Sequence, residues 1–154
     1  MSLTAVAPYR LKIGEVAARS SLPVKTIRYY EELGLLAPSV QRTESGYRLF
    51  DESVFNRLAF IKRSQSLGLS LSEIQKILAV RDAGKLPCGV VKELLVHKLE
   101  AIQEQIKALE ILQFELQGIL SGWQDSPNHE KIAQTICPNI QLELGNLGAK
   151  LAKT

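Results

Sequence analysis

The chain has 154 residues, enough for one ordinary domain or a small domain with an appendage. Its 45% hydrophobic and 23% charged residues are the balance of a globular protein, and no apolar run approaches the roughly 18–20 residues that span a bilayer. The formal net charge is +3, and the opening MSLTAVAPYR lacks the basic and apolar regions of a signal peptide, so a cytoplasmic protein without membrane contact is expected.

Residues 1–10 read as a flexible lead-in. Ile13, Val16 and Ala17 fall at helical spacing and predict a helix over Ile13–Ser20. Pro23 suits the first turn of a second helix that runs to about Leu33 with Val24, Ile27 and Tyr30 facing inward, and Gly34 is a natural terminator. In Gln41–Phe50 the Ser45-Gly46 turn signal precedes the strand-like Tyr47-Arg48-Leu49-Phe50, which predicts a small hairpin or wing. Asp51 is placed to cap a helix over about Val54–Leu67, which Gly68 ends. Ser70 and Glu73 form a capping box and open a further helix to about Val80. Asp82–Gly89 is rich in turn residues and reads as a hinge.

One long helix is then expected from about Val90 to Leu120. Leu95, Leu99, Ile102, Ile106, Leu109, Leu116 and Leu120 follow heptad spacing, with Gln113 the polar intrusion in the seam, and this argues for a coiled coil. With no second long helix to pair with, the seam implies a homodimer, and spacing alone leaves parallel and antiparallel arrangements open. The competing view is a helix that packs on its own domain. Gly122–Pro138 reads as a loop, and the tail after Asn139 is weakly amphipathic. The expected organisation is therefore a lead-in (1–10), a winged helix–turn–helix domain (11–82), a hinge (83–89), a dimerisation helix (90–121), and a loop with a tail (122–154), which the resemblance given below makes the effector-binding loop.

The second helix of the pair carries Lys25, Thr26, Arg28 and Tyr29 on its surface, a mixture of cations, hydroxyl and aromatic rims suited to a polyanion. Charge is also segregated. Residues 1–81 hold 12 Lys+Arg against 7 Asp+Glu, and residues 82–154 hold 7 lysines against 9 acidic residues. Every arginine (Arg10, Arg19, Arg28, Arg42, Arg48, Arg57, Arg63 and Arg81) lies in the first stretch. Arginine suits bidentate phosphate and guanine contacts, so this half is the expected DNA-binding half; the bland alternative is a set of solvated helix faces.

IGEVA, TIRYYEELGLL, ESGYRLF and RLAFIKRSQSLGLSLSEI, in that order, resemble the MerR family of transcription regulators of the heavy-metal-responsive type. The resemblance covers about residues 11–82 and continues into the long helix. It implies a mainly α fold with an antiparallel coiled-coil dimer, bound to double-stranded promoter DNA whose elements are separated by an overlong spacer. Such dimers bend and untwist the DNA when the inducer arrives and so realign the promoter for RNA polymerase. Carried over, Lys25, Thr26, Arg28 and Tyr29 would meet the major groove and its phosphates, Tyr47 and Arg48 of the wing would hold flanking phosphates, and Lys62 or Arg63 would add backbone contacts. Tyr30, Leu33 and Phe50 read as core.

The resemblance also gives the two cysteines a role. Metal-sensing relatives place a ligand cysteine just before the dimer helix, where Cys88 stands, and another in the loop after it, where Cys137 stands. In an antiparallel dimer the two meet across the interface. This chain departs from the pattern at Ser121-Gly122-Trp123, where relatives that bind divalent metals usually carry cysteine. Two thiolates favour a soft ion of low coordination number such as mercury(II), whereas zinc, cadmium, lead or cobalt call for three or four ligands. His129, with Asp125 or Glu130 behind it, is the candidate third ligand, although a lone loop histidine is more often simply solvated. The alternative is a thiol-based redox or electrophile sensor of the same family. An enzyme is not expected, since no phosphate loop, acid–base constellation or nucleophile motif occurs. A coiled-coil adaptor would leave the arginines unexplained, and a metal chaperone would leave the winged helix–turn–helix unexplained.

Overall fold

A computed structural model describes residues 9–141, so most of the expected lead-in (1–8) and the tail (142–154) lie outside the described residues. The fold divides into two units, residues 1–99 and 100–154.

The first unit begins with β1 (Leu11–Lys12) and α1 (Ile13–Ser20). Glu15 reaches back to accept from the Lys12 amide at 2.7 Å, closing the start of α1, and Val16 is fully buried. Helix α2 (Val24–Glu32) follows. Pro23 sits one position earlier than expected, outside the first turn: its extended ψ of 143° turns the chain into the helix while its carbonyl accepts from Thr26 at 3.0 Å and Ile27 at 3.2 Å. Gly34 ends the helix with a φ of 74°, where a side chain would be strained, and the Gly34 and Leu35 amides satisfy the carbonyls of Glu31 and Tyr30.

A short 3-10 turn (Ala37–Ser39) leads into the wing, β2 (Val40–Arg42) and β3 (Arg48–Phe50). The sheet order is β1-β3-β2, with Phe50 opposite Leu11 on one side and Val40 on the other. The hairpin was legible from the turn signal; β1 was not, because two residues carry no periodicity.

Helix α3 (Ser53–Ser66) is started by Asp51, whose carboxylate accepts from the Ser53 amide at 2.8 Å. Helix α4 (Leu71–Asp82) opens on the expected capping box: Ser70 Oγ accepts from Glu73 N at 3.2 Å and Glu73 accepts from Ser70 N at 2.8 Å. The core joins these elements through Val16, Ile27, Phe50, Val54, Ile61, Ile74 and Ile77. Each such side chain contributes roughly 1.5–3 kcal/mol on leaving water. Tyr30 belongs to this core, its hydroxyl held by Gln65 at 3.1 Å, and Leu33 packs against it half-buried.

Helix α5 (Cys88–Ser121) starts two residues earlier than expected, so Cys88 stands in its first turn and not in the hinge. Pro87 immediately precedes it and accepts from the Val91 amide at 3.0 Å; proline is pre-organised for a helix entrance. Val90, Val91 and Leu94 lean on the core of the first unit, and Lys98 pairs with Glu73 at 3.2 Å. No residue of α5 is buried, and the seam residues Leu99, Ile102, Ile106, Leu109, Leu116 and Leu120 are all about half exposed or more.

In the second unit the expected loop over Gly122–Pro138 is partly helical. Helix α6 (His129–Gln134) is capped by Asn128, which accepts from Glu130 N at 3.3 Å, and α7 (Pro138–Gln141) begins on Pro138. Both are too short for an apolar stripe, which is why the sequence reads as a loop there. Among the described residues no helix is long and apolar enough to cross a membrane.

Candidate nucleic-acid interface

The period of α2 separates its two faces. Ile27 and Tyr30 are buried, while Lys25, Arg28 and Tyr29 are exposed on one stripe with Thr26 at its margin. Lys25 and Arg28 have no carboxylate partner among the described residues, so both charges face outward unneutralised.

The wing turns at Gly46, whose φ is 83°. Thr43 clamps the turn, its carbonyl accepting from Gly46 N at 2.8 Å and its hydroxyl from Tyr47 N at 3.0 Å. Tyr47 is thereby held at the tip with 72% of its surface exposed. Arg48 is different. Its side chain is only 18% exposed; Nε donates to Glu31 at 2.9 Å, and Glu32 lies 3.8 Å from the guanidinium. Arg42 reaches the same Glu31 carboxylate at 3.3 Å. Glu31 therefore pins the wing to α2. The α1 entrance, α2 and the wing border an open cleft of about 740 Å³ whose lining includes Lys12, Glu15, Arg28, Tyr47 and Arg48. On α3, Lys62 and Arg63 are exposed, and Arg63 also donates to Ser66 Oγ at 3.4 Å.

The arginine count overstates the number of free cations. Arg19 makes a bidentate pair with Glu52 (2.8 and 2.7 Å) and stacks 4.1 Å over the Phe55 ring. The pair raises the Arg19 pKa and holds the Glu52 carboxyl below its usual range, chiefly through their mutual hydrogen bond. Arg57, nearly covered, donates to the Leu35 carbonyl at 2.7 Å and to both Asp82 oxygens at 2.7 and 3.0 Å. These two arginines tie helices together. Sequence reasoning gave no individual place to Lys12, Glu31 or Arg42. Lys12 and Arg42 had only their place beside a helix start and in the hairpin to signal them, and nothing in the sequence pointed to an acidic residue that braces a basic surface.

Cys88 is exposed on the first unit and Cys137 half-buried on the second, both as free thiols. His129 is exposed as the first residue of α6, a helix start and not the loop site expected. Among the described residues of the single chain, no three His, Cys, Asp or Glu side chains gather to hold a metal.

The chain matches two family models, "MerR HTH family regulatory protein" over residues 11–80 and "MerR, DNA binding" over residues 55–119. It is 37% identical to the mercuric resistance operon regulatory protein of Bacillus cereus, over 86% of this chain and 96% of that one. Among solved structures it is similar to a transcription regulator from Ralstonia metallidurans in complex with lead(II), with 33% identity and a TM-score of 0.66 over 79% of this chain and 94% of that one. It is likewise similar to the mercury(II) complex of a dual-function MerR from Bacillus megaterium, with 33% identity and a TM-score of 0.57 over 87% and 99%.

Proposed function

Because the chain belongs to the MerR family of transcription regulators, we propose that it is a cytoplasmic, heavy-metal-responsive regulator that acts on promoter DNA as an antiparallel homodimer. The observation that carries the DNA half of this reading is the outward stripe of Lys25, Arg28 and Tyr29 beside the raised Tyr47, on a unit whose opposite helix faces form the core. Two such surfaces, related by the dimer axis, would enter successive major grooves. Lys25 and Arg28 serve phosphates and base edges, Thr26 and Tyr29 add polar and ring contacts, and Tyr47 with the outer edge of Arg48 grips flanking backbone. Lys62 or Arg63 extends the grip. Activation follows when the metal-bound dimer distorts the duplex so that RNA polymerase meets both promoter elements. The seam of α5, about a third to two thirds exposed in the single chain, is the surface the second copy would cover.

For the effector, the two free thiols fit a soft ion by their donor chemistry. Cys88 of one subunit and Cys137 of the other would form one site, two per dimer. With two thiolates the best match is mercury(II), which accepts linear coordination. Zinc, cadmium, lead or cobalt would need His129 or a carboxylate in addition. The exposure of Cys88 also suits the second reading, a thiol redox or electrophile sensor.

The tests are direct. The purified protein should bind the DNA upstream of its own gene with salt-sensitive affinity; no such affinity would remove the regulator reading. Anaerobic titration with a metal panel should show binding lost in both Cys88→Ser and Cys137→Ser, and unchanged stoichiometry in either variant would remove the shared site.

A further inference from the structure

The segment that carries Cys137 is tied shut by side-chain amides that sequence spacing did not single out. Asn139 and Gln124, fifteen positions apart, form a reciprocal pair: Asn139 Oδ1 accepts from Gln124 N at 2.9 Å and Asn139 Nδ2 donates to the Gln124 carbonyl at 3.0 Å. The primary amide imitates a backbone unit and closes the segment as a two-bond bridge. Gln124 lies just beyond the end of α5, so the bridge references the far stem to the near one. Gln141 adds a second tie, its Oε1 accepting from Ile136 N at 2.5 Å and Cys137 N at 2.9 Å. The Cys137 carbonyl in turn accepts from Ile140 N at 3.2 Å and Gln141 N at 3.1 Å. Every backbone polar group of Cys137 is thus engaged, and only its thiol is left uncommitted.

We infer that Asn139 and Gln141 are positioning residues for the effector site: they hold the Cys137 thiol in place before any metal arrives. This rests on the reading of Cys137 as a ligand. Closing a segment of this length and fixing its backbone would otherwise fall to the metal–ligand bonds and weaken apparent affinity. Groups that orient a ligand from behind typically change metal affinity by roughly 10–100-fold when removed. The donor pattern also sets which substitutions are tolerated. Gln141 acts only as an acceptor, so a carboxylate can replace it. Asn139 both accepts and donates, so aspartate keeps one of its two bonds.

The experiment is anaerobic competition for mercury(II) between dithiothreitol and the full-length protein. Asn139→Ala and Gln141→Met should each lose about tenfold in apparent affinity at unchanged stoichiometry. Gln141→Glu should match the parent, and Asn139→Asp should fall between. In the metal-free protein the Ile136 and Cys137 amides should exchange hydrogen faster in Gln141→Met than in Gln141→Glu. Parent affinity in Asn139→Ala and Gln141→Met, with binding lost in Cys137→Ser, overturns the positioning role and leaves the ligand reading standing. The positioning role is equally overturned if Gln141→Glu loses as much as Gln141→Met. Retained binding in Cys137→Ser overturns the ligand reading, and the positioning role falls with it.

Discussion

Salt dependence of DNA binding separates the cations that face outward from those spent inside the fold. Each phosphate neutralised contributes roughly 0.9 to the slope of log affinity against log salt on duplex DNA. Lys25 and Arg28 are exposed and have no carboxylate partner among the described residues. The proposed dimer would present each twice, so Arg28→Ala should flatten the slope by roughly 1.8. Over a fourfold rise in salt that amounts to about a twelvefold smaller loss of affinity than the parent suffers. Lys25→Ala should do the same. Arg48→Ala should behave differently, because its guanidinium is already paired with Glu31 at 2.9 Å and both side chains are mostly covered. Its loss should leave Glu31 poorly solvated, lower fold stability by about 1–3 kcal/mol and change the slope less. Fluorescence anisotropy on a labelled promoter duplex between 50 and about 200 mM salt, the range over which such slopes are read, gives the answer. Parent-like slopes in both Lys25→Ala and Arg28→Ala would refute the assignment of that stripe to the DNA backbone.

Three further outcomes follow from the geometry. Phe50→Ala should cost roughly 3–5 kcal/mol, since the ring is fully buried at the centre of the three-stranded sheet, and urea unfolding at a fixed chain concentration measures it. Arg57→Met should cost about 2–3 kcal/mol by stranding the Leu35 carbonyl and Asp82; the double variant with Asp82→Asn should fall short of the sum of the singles, and strict additivity would contradict a shared clamp. Glu73 is held below the usual carboxylate range by the Ser70 amide and then by Lys98. A depressed pKa gives stability that is present at neutral pH and lost as pH falls through the folded-state value. Thermal scans should therefore show Glu73→Gln less stable than the parent near neutrality, with the gap closing on acidification; a gap independent of pH would count against the ionised cap.

Much of the first unit was legible because its signals are local and repeated. The Ser70–Glu73 box, the Gly34 terminator and the inward set Val16, Ile27 and Tyr30 each follow from spacing within one helix, and the structure shows them as read. The two-residue strand at Leu11 was invisible because only its pairing with distant Phe50 makes it a strand. Pairings such as Arg57 with Asp82, or Glu31 with Arg42 and Arg48, are contacts across the fold, so charge counting does not separate paired arginines from free ones. The segment after α5 misled for another reason. Its helices are a turn or so long, and the bonds that shape it run from Asn and Gln side chains, whose composition reads as loop.

The central position of β3 couples the wing to the start of α1. The strand is bonded to the lead-in of α1 on one edge and to the other wing strand on the second, and its last residue is sealed in the core. In the promoter-facing surface proposed above, loosening β3 would therefore disturb the entrance to α1 together with the wing.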